Sequence, residues 1–167
     1  TFDSLLATGL RQFRLVVLKC GKPPVITKAG DMLHFIQVTS ESWVAHLNQQ
    51  VQRLSSEWVM LMAAGDELVA GGVLRLQQEL LEAPGCVAIC ANEVQRDEAG
   101  RLHGVIRPKA DLDMLRTQPG RMSRHWCLHR HSLVALGGFD EALRHLLAYD
   151  LLLRLVDPHA PGTTPHI

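Results

Sequence analysis

The chain has 167 residues, 47% of them hydrophobic and 20% charged, a balance that suits one globular domain with a real core and excludes a disordered chain. Lys+Arg and Asp+Glu each number 17, so the formal net charge is zero and lacks the basic surplus typical of a nucleic-acid binder. No apolar run reaches the roughly 18 residues a membrane span needs, and Thr1 opens without the basic and apolar regions of a secretory signal.

Strand-like and helix-like segments alternate along the chain. Leu15 to Leu18 forms a short apolar run before the turn Gly21 to Pro24 and reads as a buried strand; His34 to Val38 is a second. Val44, Leu47, Val51 and Leu54 then recur at helical spacing, with Ser40 or Ser42 as the cap. Trp58 to Met62 is the next strand. A helix follows from Gly71-Gly72, carrying Val73, Leu76 and Leu80 on one face and closing at Pro84-Gly85.

Cys86 to Ala91 reads as another strand, Asp97 to Gly100 as a hairpin turn, and Leu102 to Ile106 as the strand beyond it. A short helix is expected around Asp111 to Arg116, a loop at Gln118-Pro119-Gly120, an extended segment at Trp126 to His129, and a helix from His131 to Leu136 that stops at Gly137-Gly138. Tyr149 to Val156 is apolar and helical, and the Pro-, Gly- and Thr-rich tail is irregular. There is no internal repeat. The alternation predicts an α/β fold with a mostly parallel sheet covered on both faces, whose ligands sit at the carboxyl ends of the strands. Asp66 falls just after what reads as a central strand, at the mouth of such a sheet; the bland alternative is a solvated loop acid.

The segments also resemble a known family. "WVMLMAAGDELV" (58–69) is similar to the strand and turn that carry the Asp-x-Asp motif of the family 2 glycosyltransferases, enzymes of the GT-A fold common in bacterial polysaccharide assembly. "CVAICANEVQRDEAGRLHG" resembles the strand and hairpin that follow, and "RPKADLDML" the Lys-Pro segment after it. "HRHSLVALGGFDEAL" resembles the family's Gly-Gly-Phe-Asp-Glu turn, and "AYDLLLRL" its Asp-Tyr-Asp-Leu-x-Leu-Arg helix. "SLLATGLRQFRLVVLKCG" is similar to the first helix and second strand, so the family's first strand is expected before Thr1.

The resemblance implies a GT-A-like three-layer α/β/α sandwich with a mixed, mostly parallel sheet, of the nucleotide-diphospho-sugar transferase type, in one domain over residues 1–167. It implies transfer of a sugar from a nucleotide-sugar donor to a polysaccharide or glycan acceptor. In that chemistry Mg2+ or Mn2+, held by carboxylate oxygens, neutralises the leaving diphosphate, while a further carboxylate takes the acceptor proton. Implied with it are a cytoplasmic location, peripheral to the inner face of the membrane, without a transmembrane segment or a nucleic-acid partner, and a second transferase domain or subunit as partner. Met62 and Ala91 are expected to end adjacent strands that open on a common cavity.

The motif positions depart from the family where charge is needed. The nucleoside-binding acids fall at Lys19-Cys20, the two aspartates of Asp-x-Asp at Ala63 and Gly65, the next strand's aspartate at Asn92, and the usual general base at Ala148. Asp66 remains as the metal ligand, and Asp66, Glu93, Lys19 and Lys109 as donor-binding groups. Arg107 and Arg124 are further cations able to face a diphosphate. Asp150 and His129 are the candidates for acceptor activation, although the family uses the acid at Asp150's position to brace the helix. These losses keep a second function open, a non-catalytic GT-A-like module for protein contacts or weak carbohydrate binding.

"RHWCLHRH" (124–131) invites other readings. In an extended segment His125, Cys127, His129 and His131 would share one side, as zinc ligands or as a polar cleft wall. Cys127 is a nucleophile candidate or, more simply, a small buried thiol. Trp126 could stack on a sugar or serve as core. Cys20, Cys86, Cys90 and Cys127 form no C-x-x-C pair and are expected reduced.

Overall fold

The computed structural model describes residues 1–22, 24, 30–82, 84–107, 112–122 and 124–156, with the backbone alone at 112, 114, 121 and 122. In chain order the elements are α1 (Phe2–Ala7), β1 (Leu15–Cys20), β2 (Leu33–Val38), α2 (Trp43–Arg53), β3 (Trp58–Met60), α3 (Ala70–Glu82), β4 (Ala88–Cys90) and β5 (Glu93–Arg96). They continue with β6 (Leu102–Val105), α4 (Leu112–Thr117), α5 (Pro119–Met122), β7 (Trp126–His129), α6 (Arg130–Ala135) and α7 (Leu147–Val156). The segment at 118–120, expected as loop, instead enters α5: Pro119 opens the helix, where its missing N–H costs nothing.

The chain is mixed α/β, but a single mostly parallel sheet is not what forms. Among the described residues β1 and β2 pair in parallel, β3, β7 and β4 form an antiparallel sheet in that order, and β5 and β6 form a hairpin. β3 is therefore an edge strand rather than a central one, and the segments ending near Met62 and Ala91 are not neighbours. β7 lies between them, with Met60 opposite Cys127 and Cys90 opposite Trp126. Both flanking strands run antiparallel to β7, hence parallel to each other, and their carboxyl ends lie beside the start of β7.

α2 and α7 supply most of the helical core. Val44 and Val51 of α2 are buried, as are Leu147, Leu151, Leu152, Leu155 and Val156 of α7, and both sets join Trp126, Leu128, Leu133 and Phe139 in one core. Ser42 is the N-cap of α2, yet its hydroxyl turns back to accept from Thr39 N–H at 3.1 Å instead of capping the helix. α3 buries only Val73 and leaves Leu74 and Leu81 on the surface.

Two polar braces tie this core together. The Asn48 side chain donates to Phe139 O and accepts from Phe139 N, both at 2.9 Å. Gly137 and Gly138 turn the chain with φ of +85° and +81°, as expected of a turn between helices, and a Cβ on Gly138 would meet Asn48 Oδ1 at 2.7 Å. Arg154 donates to Asp150 Oδ2 at 2.6 Å and 2.9 Å, and to Leu136 O and Gly138 O at 2.8 Å and 2.9 Å.

Candidate functional site

The site begins with a turn. Asp66 N–H donates to Ala63 O at 3.1 Å, and Gly65 between them has φ +96°, the left-handed position that a turn of this kind reserves for glycine. Asp66 Oδ2 accepts from Ala63 N at 2.8 Å and fixes the turn from the other side. The loop is also fastened from the chain's start: Thr1 Oγ1 donates to Asp66 O at 2.6 Å, and Ser4 Oγ accepts from Leu68 N at 3.0 Å. The lone aspartate after β3 is thus a turn-closing residue with one carboxylate oxygen presented at the sheet's end.

His125 meets that oxygen. It immediately precedes β7 and is the only non-glycine residue with positive φ among the described residues, at +59°. Left-handed backbone is uncommon for a residue with a Cβ, though histidine enters it more readily than most. Here it aims the ring between two acids. Nε2 lies 3.1 Å from Asp66 Oδ2, and Nδ1 lies against Glu93 Oε2, an ion-pair contact made off the hydrogen-bonding axis. A doubly protonated ring donates toward both carboxylates; a neutral ring serves one.

Glu93 opens β5, where the chain leaves β4 and starts the hairpin. Its Oε2 also faces Arg107 Nη2 at 3.0 Å, and its Oε1 accepts from Gln95 at 2.6 Å. Burial raises the Glu93 pKa, but the Gln95 hydrogen bond and the charges of Arg107 and His125 outweigh it and hold the carboxyl below its ordinary range. Arg107 returns from the far side of the hairpin. Its backbone N–H donates to Asn92 Oδ1 at 2.9 Å and its Nε to Ala91 O at 3.2 Å. Its side chain is 3% exposed, and Nη1 has no hydrogen-bond partner among the described residues. Ala91 N–H donates to His125 O at 3.0 Å, so β4, the hairpin root and the start of β7 meet at one point.

The sequence candidates divide around this cluster. Asp66 and Glu93 come together through His125. Arg107, expected as a cation facing a diphosphate, binds Glu93. Lys19 is exposed at the carboxyl end of β1, opposite Gln37. Lys109 lies outside the described residues. His129 sits at the other end of β7, on the order of 13 Å along the strand from His125. There it packs edge-on against Trp58 at 5.3 Å and its Nδ1 meets Ser132 Oγ at 3.0 Å. Asp150 is held by Arg154 in the helix brace.

The histidines of 124–131 do not all line one side. His125 turns to the acids, whereas His129 packs edge-on against Trp58 with the ring of His131, in α6, 5.9 Å away; no metal-holding group of three His, Cys, Asp or Glu occurs among the described residues. Cys127 is buried, and burial pushes its thiol up to about 12, which matches the inert-thiol reading. Trp126 is core. All four cysteines are free.

The acids as arranged do not fit a divalent cation. Such ions need several oxygen ligands. Asp66 Oδ2 already faces Ala63 N–H and His125, and Glu93 Oε2 faces His125 and Arg107. Ala63 and Gly65 contribute no side-chain oxygen.

A second feature is an open groove of about 620 Å3 at the carboxyl ends of the parallel pair β1 and β2, lined by Leu18, Cys20, Val38 and Trp43 on its apolar side and by Glu41 and Arg144 among its polar groups. Arg144 donates to Ser40 O at 3.2 Å across it. No described helix is long and apolar enough to cross a membrane. In comparisons with known proteins, neither the models of protein families nor the curated proteins give a match to this chain.

Proposed function

We propose that the chain is a glycosyltransferase family 2-like module that binds a nucleotide-sugar donor, with sugar transfer weakened by the loss of carboxylates. The observation that carries this reading is the meeting of Asp66, His125, Glu93 and Arg107 at one end of the antiparallel β3–β7–β4 sheet, which brings together two of the acids the resemblance assigns to the donor. The groove at the carboxyl ends of β1 and β2, with Trp43 on its wall and Arg144 beside it, supports it as a berth for the base. The GT-A sandwich, the glycan acceptor, the partner transferase domain and the place at the membrane's inner face belong to this proposal.

One observation favours a second reading, a non-catalytic module of the same scaffold. Asp150, the acid left in the "AYD" segment, is committed to Arg154, and Ala148 offers no base. Titrating the purified chain with UDP-, GDP- and dTDP-sugars, with and without Mn2+, separates the two. Calorimetric binding of one donor, weakened at least tenfold by Asp66→Ala, supports the donor reading. Silence across the panel from a folded protein favours the second.

A further inference from the structure

The strongest departure from the family's chemistry is not that carboxylates are missing but what stands between the two that remain. Asp66 and Glu93 are bridged by one imidazole, each facing a different ring nitrogen, and Glu93 is also paired with a guanidinium that is 3% exposed. The guanidinium neutralises Glu93, and the ring fills the gap between the two acids. A divalent ion entering between the carboxylates would have to displace His125, whose position is set by the left-handed backbone at +59° and by the hydrogen bond from Ala91 N–H to its carbonyl at 3.0 Å. It would also approach Arg107, which cannot give up its proton.

We propose that Arg107, a fixed cation paired with Glu93, and His125, wedged between the two carboxylates, occupy the place where a divalent metal would neutralise charge, so that the site takes its ligand without a metal. Arg107 makes the arrangement more than a static ion pair. Nε and Nη2 are engaged by Ala91 O and Glu93, but Nη1 is buried without a hydrogen bond to any described residue. A buried donor left unmade is costly, and a native structure keeps one where something else completes it. The group that completes it is an anionic oxygen, a phosphate oxygen under the donor reading. That ligand assignment rests on the donor reading; the exclusion of the metal does not.

The two parts are tested apart. For the metal, Mn2+ is titrated into the full chain without any nucleotide and followed by paramagnetic broadening of assigned NMR signals. The expected result is no selective broadening at Asp66 or Glu93 up to millimolar Mn2+. Selective broadening there at micromolar Mn2+, abolished by Asp66→Asn, overturns the proposal.

His125→Asn provides the converse, because asparagine tolerates left-handed backbone and carries no charge. Mn2+ affinity is expected to rise at least tenfold as the two acids lose their bridge, with circular dichroism confirming the fold. A folded variant without that gain overturns the role given to His125; if the variant does not fold, the wild-type broadening decides. For the ligand, donor affinity measured in EDTA and in Mn2+ should agree within twofold. A tenfold gain from Mn2+ overturns metal independence while upholding the donor reading; no binding in either condition removes the donor reading alone.

Discussion

The molecule manages buried polarity in two ways. Between α2, α6 and α7, each donor has its acceptor: Asn48 satisfies both backbone groups of Phe139, and Arg154 spreads its N–H groups over Asp150, Leu136 O and Gly138 O. At the end of β3, β7 and β4 the opposite holds. His125 is held in left-handed backbone, its Nδ1 contact is off axis, and Arg107 Nη1 is buried and unpaired among the described residues. A satisfied network fixes one structure, whereas strain and an unmade bond are what a fold retains where it has another task. The same contrast sorts two acids that look alike in the sequence. Asp150 is consumed by the brace, and Asp66 is aimed into the cluster.

The largest effect should come from the brace. Asn48→Ala strands the Phe139 N–H and C=O, and Phe139 is 2% exposed, so each group should cost about 1–3 kcal/mol in denaturant unfolding. Gly138→Ala should cost about 1–3 kcal/mol, from left-handed backbone and from the 2.7 Å contact with Asn48. In the cluster the cost should be smaller. His125→Asn relieves strain while removing an ion bridge, and the two should cancel to within about 1 kcal/mol. A His125 variant that destabilised as much as Asn48→Ala would erase the contrast.

Acid titration sharpens it. Because the folded Glu93 pKa is depressed, its pairing stabilises the protein fully above the unfolded glutamate value of about 4.3 and is lost as pH falls through the lower folded value. Glu93→Gln should therefore flatten the stability curve below about pH 4.3, as followed by urea unfolding across pH.

The smallest effect concerns thiols. Cys20 is exposed, whereas burial pushes Cys90 up to about 11 and Cys127 up to about 12, so maleimide at neutral pH should label Cys20 first and spare Cys127 until unfolding. Mass-spectrometric mapping of the label would check the order.

Most elements were legible in the sequence because local signals carry them. Val44, Leu47 and Val51 of α2 (Leu54 is its extended C-cap), the Asp97–Gly100 turn and the Gly137-Gly138 stop stand as read. Strand pairing was not, and β7 shows why. Trp126, Cys127 and Leu128 are all buried, and a strand covered on both faces reads as a plain apolar run whichever way its neighbours point. Nothing local in "WVM" or "AIC" says that a third strand will run backwards between them.

The site was half legible. Asp66 and Glu93 followed from strand ends and from the resemblance, and Arg107 was among the cations named. His125 was grouped with a histidine series that extended geometry would align. The backbone breaks that series at its first member, and a single sequence carries no period for a left-handed residue. The tie from Thr1 and Ser4 to the Asp66 loop spans more than sixty positions and has no local signal at all.

The central claim is that Asp66, His125, Glu93 and Arg107 act together as the ligand-facing end of the sheet. It is tested most directly by mapping NMR shifts of the full chain during titration with UDP-, GDP- and dTDP-sugars in EDTA. The account predicts that one donor moves the His125 ring and Arg107 guanidinium signals, saturably and together. Saturable shifts confined to the His129 or Asp150 surroundings, with the cluster unmoved, would contradict it.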